Sequence, residues 1–259
     1  MGVKNRIRAT APGGLALFQL RSNRLSCYRR SCPAIPCTRR PHDCVGAISR
    51  LTNRPPIPRI TLVIATSNPG KFNEIAALLQ GLDVLLVPLD RVGPIQVPPE
   101  GGESFQENAC RKAEAVARAS GHLALADDSG LEVDALGGRP GVHSARFSGP
   151  QATDADRNRL LLERLRDIPP DRRTARFRCV VAVAEPRGRV RIAEGICEGR
   201  IASAPRGSHG FGYDPLFEIP SLGKTFAELS PEVKNRLSHR AQAMAGGRTI
   251  LEGILTNRS

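Results

Sequence analysis

Leu123-Ala-Leu-Ala-Asp-Asp-Ser-Gly-Leu-Glu-Val-Asp134 decides how the chain is read, because it sets two adjacent carboxylates at the end of an apolar run. Leu123 to Ala126 predict a short buried strand, and Gly130 predicts a turn directly afterwards. Asp127 and Asp128 are then expected at the rim of a sheet, where the ligands of α/β proteins collect. Consecutive strand residues point to opposite faces, so one of the two aspartates faces a given cleft. A solvated turn uses the same residue types as Asp-Asp-Ser-Gly, and the neighbouring segments carry the decision.

Upstream, Ile60-Thr-Leu-Val-Ile-Ala65 is apolar enough to be buried on both faces, as a parallel strand is. Thr66-Ser67-Asn68-Pro69-Gly70-Lys71 follows and leads into a helical pattern with Phe72, Ile75, Leu78 and Leu79 on one side. A strand, a small polar loop and a helix start bearing a lysine make an anion site, since the first amides of the helix point at the ligand. It is not a Walker A loop: the chain's Gly223-Lys-Thr225 has Glu218 where the first glycine would stand. Ser104 predicts the cap of a second helix running to Ala119, with Glu107, Asn108, Arg111 and Lys112 crowded into one region of it. That spacing puts Glu107 one helix away from the two aspartates.

Downstream, Thr153 and Asp156 form a capping box for a helix carrying Leu160, Leu161, Leu165 and Ile168. Phe177 to Ala184 and Val190 to Cys197 read as strands joined by a turn at Arg187-Gly188. In Gly210-Phe-Gly-Tyr-Asp-Pro215 two glycines allow close backbone approach, and Phe211 is able to stack on a flat ring. Ser230-Pro231-Glu232 opens another helix. On one unbroken helix Lys234 and Arg240 would lie roughly 120° apart, so a break is expected, with Ser238 capping a new helix that starts at His239. Positive charge in a first turn opposes the helix dipole, a cost that makes sense if an anionic or carbonyl-bearing ligand binds there.

The 259 residues are 40% hydrophobic, enough for a sizeable core, and carry a net charge of +13. Residues 1–59 hold 12 of the 38 Lys and Arg but one of the 25 acids, Asp43, so the other 200 residues carry 26 bases against 24 acids. The basic character is therefore a property of the N-terminal segment, and the body need not bind a polyanion surface. Residues 1–58, rich in Arg, Pro, Ser and Cys without an apolar period, are expected to be a disordered extension: a targeting segment, a nucleic-acid-binding tail, or sequence of no structural purpose. Residues 59–259 form the expected folded domain. Cys27, Cys32, Cys37 and Cys44 are separated by four, four and six residues, wider than paired zinc knuckles. Cys110, Cys179 and Cys197 are too scattered for a disulfide framework, which suits a reducing compartment. No apolar run approaches the roughly 18 residues of a membrane span.

Taken in order, these segments resemble the Ham1/RdgB family of inosine triphosphate pyrophosphatases from about Ile60 to Leu255. The resemblance implies an α/β, ITPase-like fold: a long twisted mixed sheet with flanking helices and two lobes around a central cleft. It implies hydrolysis of noncanonical purine nucleoside triphosphates (ITP/dITP, XTP/dXTP) to the monophosphate and pyrophosphate, with Mg2+, by a cytoplasmic homodimer. The family's phosphate loop corresponds to Thr66, Ser67, Asn68, Pro69, Gly70 and Lys71, and its magnesium glutamate and following lysine to Glu107 and Lys112. Its catalytic aspartate, also a metal ligand, corresponds to Asp128, followed by Ser129; Asp127 is kept as a secondary metal ligand or as a residue behind the ligands. Phe211, Gly212, Tyr213, Asp214, Lys234, His239 and Arg240 match its substrate segments. Arginine has only donors, so Arg240 is expected to bond the 6-carbonyl of the base. His143 and Phe147 stand where the family often has tyrosines, and Gly246-Gly247 is expected to interrupt the last helix, at about 1 kcal/mol per glycine. Two other readings stay open: a Maf-like pyrophosphatase acting on other nucleotides, and nucleic-acid binding through the basic segment.

Overall fold

The computed structural model of the protein describes residues 60–257, so the expectations for residues 1–58, their four cysteines included, lie outside the described residues. Among the described residues seven strands form one mixed sheet in the order β2-β1-β3-β4-β5-β6-β7. They are β1 (Ile60–Ile64), β2 (Val84–Pro88), β3 (Leu123–Val133), β4 (Thr174–Ala184), β5 (Val190–Ile201), β6 (Phe217–Ile219) and β7 (Lys224–Thr225). β1 runs parallel to β2 and β3, and every pairing from β3 to β7 is antiparallel.

The helices begin where the sequence supplies caps. In α1 (Pro69–Leu78) Asn68 accepts from the Lys71 N–H, and Pro69 fills the first position, where no amide bond is lost. α2 (Phe105–Ser120) starts on Ser104 and ends on the left-handed Gly121. α3 (Asp154–Arg164) carries the full capping box of Thr153 and Asp156. α4 (Pro231–Leu237) ends at Ser238, whose side chain caps α5 (His239–Thr256), so the break expected between Lys234 and Arg240 is present.

Three apolar clusters hold these elements. Leu62, Ile64, Ile75, Leu125, Val181, Met244 and Leu251 join α1 and α5 to one face of the sheet. Val63, Ala109, Ala113, Val116, Ala124 and Ala182 join α2 to the other, the small alanines letting the helix lie close. A third cluster, with Leu131, Leu161, Phe177, Phe217 and Phe226, lies toward the far end of the long strands under α3.

Two expectations are corrected. β3 does not turn at Gly130: it continues for eleven residues, because β4 captures its backbone from Ala124↔Ala184 through to Val133↔Ala175. Gly130 answers to close approach, since a Cβ there would meet Gly141 O at 2.4 Å and Ser144 Oγ at 2.6 Å. Nor do Gly246 and Gly247 interrupt α5; they seat it on the sheet, a Cβ on Gly246 falling 2.7 Å from Ala193 Cβ and one on Gly247 3.1 Å from Val181. The open edge of β3 places the cleft. β1 pairs only as far as Ile64↔Leu125, so beyond Ala126 that edge faces the loop after β1 at the carboxyl end of the parallel strands.

Candidate active site

A cleft opens on that edge, with a cavity volume of about 120 Å3. Asp128, Ser129 and Gly130 of β3 line it, as do Asn68 and Lys71 at the start of α1 and Phe211, Gly212, Tyr213 and Asp214 from between β5 and β6. Lys234, His239 and Arg240 complete that side, at the α4–α5 junction.

Strand alternation sends the two aspartates to different layers. Asp127, fully buried on the α1–α5 face, meets Lys71 Nζ at 3.1 Å and accepts from Arg240 Nη2 at 3.0 Å and Ser129 Oγ at 3.2 Å. Burial pushes its carboxyl upward, but Lys71 and Arg240 outweigh burial and hold it well below the usual range. Its Oδ1 has no hydrogen-bond partner among the described residues. Asp127 thus anchors two cations.

Asp128 lies on the α2 face. Asn108 Nδ2 donates to its Oδ2 at 3.0 Å, and Lys112 Nζ stands 3.5 Å from its Oδ1. Lys112 Nζ also donates to Glu100 Oε1 at 2.9 Å and to the Asp127 carbonyl at 2.7 Å. Burial raises the Asp128 carboxyl and Glu100 adds to the rise, against the pull of Lys112 and Asn108. Burial works against charge on Lys112, yet Asp128, Asp127 and Glu100 keep its pKa above the ordinary value. A carboxylate whose pKa is raised by burial accepts a proton more readily than a free one.

Glu107 stands elsewhere. Its N–H donates to Ser104 Oγ, its Oε2 accepts from the Glu103 N–H at 3.1 Å, and Arg111 pairs with it on an exposed face. The four polar residues expected as one region of α2 divide by helical period: Asn108 and Lys112 share the buried stripe with Phe105 and Ala109, while Glu107 and Arg111 face out. Glu100, in the loop before α2, reaches the cleft instead.

On the opposite wall, Lys234 Nζ donates to Asp214 Oδ2 at 2.5 Å and Glu74 Oε1 at 2.7 Å, and Arg240 Nη1 donates to Glu74 Oε2. Burial raises the Asp214 carboxyl even against Lys234. Arg240 donates further from Nε and Nη2 to Asp127 and from Nη2 to Ser129 Oγ, so four of its five N–H groups are committed. The expectation that it meets a base carbonyl narrows to one N–H on Nη1. His239 is stacked on Phe177 with ring centroids 4.6 Å apart. Burial, with Arg240 and Lys234 adding, lowers its pKa well below the ordinary value, so its ring is neutral. Its buried Nδ1 has no hydrogen-bond partner among the described residues. The Phe211 ring lies beside Lys234 (5.0 Å) and Arg240 (5.7 Å) and against Gly70, where a Cβ would come within 2.6 Å of it. Tyr213 donates its hydroxyl to Ser144 O at 3.0 Å, so its ring alone is offered to the cleft.

Thr66, Ser67 and Pro69 border a second groove with residues 88–91 and 93–95, while Asn68 belongs to both. His143 is exposed and paired with Arg146, and Phe147 packs on the far core; neither lines the cleft. Sequence reasoning missed Glu74, Glu100, Asp154, Arg157 and Phe177. A signal existed for Asn108, whose spacing from Phe105 and Lys112 sets it on the apolar stripe.

The Ham1 family pattern matches residues 62–248. A protein of Desulforamulus reducens named dITP/XTP pyrophosphatase is 51% identical over 193 residues, covering 74% of this chain and 96% of that protein. One of the same name from Bacillus subtilis is 46% identical over 190 residues, covering 73% and 96%. Among solved structures, a HAM1 protein from Coxiella burnetii superposes with a TM-score of 0.69 at 42% identity, over 75% of this chain and 99% of that one. The match spans every strand and helix that builds the cleft, from β1 into α5, and on that ground the chain belongs to the Ham1 family.

Proposed function

We propose that the chain hydrolyses noncanonical purine nucleoside triphosphates, ITP/dITP and XTP/dXTP, to the monophosphate and pyrophosphate. Relatives named dITP/XTP pyrophosphatase at about half identity support the reading and do not favour the Maf-like alternative. Within the cleft, the observation that carries it is the buried Asp128 carboxylate, oriented by Asn108 and facing Lys112, across from the lysine-bearing start of α1.

Asp128 accepts a proton from water as the water oxygen bonds to the α-phosphorus. The bond from that phosphorus to the bridging oxygen breaks, and pyrophosphate leaves with its electrons. Lys71 and the first amides of α1 receive the phosphates. Phe211 stacks on the base, whose edge meets the neutral His239 Nδ1 and the remaining Arg240 N–H.

Among the described residues no group of three or more His, Cys, Asp or Glu side chains is arranged to hold a metal. Mg2+ fits this sparse set, because one or two carboxylates suffice when substrate phosphates and waters complete the shell. Glu100 and Asp128, which share Lys112 and of which Glu100 raises the Asp128 carboxyl, would hold it, in place of Glu107. When bound, Mg2+ supplies neutralisation of charge on the phosphate oxygens. A homodimer and a cytoplasmic location belong to the same proposal; no described helix is long and apolar enough to cross a membrane.

Pyrophosphate release from ITP, XTP, GTP and ATP, with Mg2+ and after chelation, tests the reading. Strong preference for ITP and XTP, lost with the metal, is expected. Equal turnover of ATP, or phosphate in place of pyrophosphate, would overturn it.

A further inference from the structure

The loop that carries Phe211 is held from a distance. Asp154 Oδ2 accepts from the Gly212 N–H at 2.6 Å, and Asn158 Nδ2 donates to Gly212 O at 2.9 Å. Asp154 and Asn158 lie four residues apart in α3, one turn above the other on the same face, so they grip the two sides of one residue. We infer that the start of α3 is a positioning clamp for nucleotide binding: through Gly212 it fixes the place of the Phe211 ring in the cleft.

Three observations support this assignment. First, Gly212 adopts a left-handed φ of 63° although nothing lies within 4 Å of a Cβ placed there, so conformation rather than crowding calls for glycine. A backbone in that region keeps its shape only when neighbours fix it, and Asp154 and Asn158 are those neighbours. Second, α3 is itself anchored. The Thr153–Asp156 capping box fixes its first turn, and Arg157 bonds Ala152 O at 2.7 Å, Ala145 O at 3.0 Å and Asp154. The 3-10 turn at Gly141–Arg146 that receives Arg157 also receives the Tyr213 hydroxyl, at Ser144 O. The same pair of elements therefore holds Gly212 and Tyr213. Third, Asn158 is an expensive residue for its position: it is 7% exposed, and its Oδ1 is buried without a hydrogen-bond partner among the described residues. Packing alone would favour leucine there; the bond to Gly212 O is what an amide gives.

Phe211 depends on this support. Its N–H donates to Asp214 Oδ2 at 2.9 Å, and its ring is half-buried between Gly70 and the cations of Lys234 and Arg240. Asp154 and Asn158 reach neither Asp128 nor Lys112, which are held by α2. Loss of the clamp therefore falls on nucleotide binding and spares the proton transfer.

The inference rests on the proposed triphosphate substrate, and two measurements keep the two apart. Hydrogen exchange of the segment around Gly212 reports the clamp without reference to activity: Asp154→Ala and Asn158→Ala should speed exchange there and leave β3 and β4 unchanged. Unaltered exchange in folded variants would overturn the clamp even if the enzyme hydrolyses ITP. With ITP as probe, each variant should raise KM about tenfold, as loss of one well-placed hydrogen bond allows, with kcat within about threefold of wild type. Asp154→Asn, which keeps an oxygen acceptor, should restore KM. A fall in kcat at constant KM would move the pair to the chemical step and overturn its positioning role. Should Asn158→Ala not fold, Asp154→Ala at the half-exposed start of the helix gives the same readings. Faster exchange in an enzyme inert toward ITP would leave the clamp standing and sink the substrate assignment.

Discussion

Asn108 and Asp128, twenty residues apart, are joined by an Nδ2-to-Oδ2 bond of 3.0 Å that leaves Asp128 Oδ1 toward Lys112. The carboxylate is thereby held in one orientation, with one oxygen satisfied and the other beside a cation. Asp128→Asn keeps the shape and removes the proton acceptor, so kcat should fall at least the ~100-fold typical of losing a general base. The folded variant's thermal midpoint should change little. Near-normal turnover would remove Asp128 from the chemistry.

The same bond sets a pH dependence. Activity needs Asp128 ionised, so kcat/KM should drop as pH falls through a pKa raised by burial and Glu100. Asn108 stabilises the ionised form; without it the pKa rises further. In Asn108→Ala the acidic limb of the kcat/KM profile should move to higher pH, and a limb that stays in place would show that the amide does not act on the carboxylate.

Glu100 and Glu107 separate metal use from helix capping. Glu100→Gln should raise the Mg2+ concentration needed for half-maximal rate, whereas Glu107→Gln should leave it unchanged and cost at most about 1 kcal/mol through the cap. Magnesium titrations of both variants check this. A shift for Glu107→Gln alone would reverse the assignment.

Arg240 is 2% exposed and bridges Asp127 and Glu74. Removing it leaves two carboxylates short of a partner in a dry site, so Arg240→Ala should lose about 3–5 kcal/mol of stability in urea unfolding. A stable Arg240→Ala that loses turnover of ITP but not of ATP would restore a larger role in base selection.

His239 supplies a stability effect with a definite sign. The folded chain keeps it neutral because burial and the nearby cations depress its pKa, while the unfolded chain takes up a proton below about pH 6.5. The unfolded state then binds more protons, so stability falls as pH drops below that value, by up to ~1.4 kcal/mol per pH unit. His239→Gln should show a smaller loss between pH 7 and pH 5. Parallel curves for the two proteins would count against a neutral buried ring.

Much of the fold is legible locally. Asn68, Ser104, Thr153 and Ser238 each announce a helix within four residues, because a side-chain oxygen meets the third amide after it. The extent of β3 is not legible that way, since its partner β4 lies some fifty residues on and overrides the turn chemistry of Asp-Asp-Ser-Gly. The site divides likewise. Asp128, Lys71 and Phe211 sit in short motifs with visible chemistry. Glu74 and Glu100 owe their positions to cations 160 and 12 residues away, and nothing beside them in the chain reveals it.

The alternation of β3 carries a consequence for how the gene can change. Asp127 and Asp128 differ in task only because neighbours on a strand face opposite layers. Inserting or deleting one residue between Leu123 and Ala126 would shift the register and exchange the two: the anchor would turn to α2 and the proton acceptor to Lys71 and Arg240. A substitution in this strand alters one position, whereas a change of length moves every residue after it, so insertions and deletions should be confined to the loops on either side of β3, at His122 and beyond Asp134.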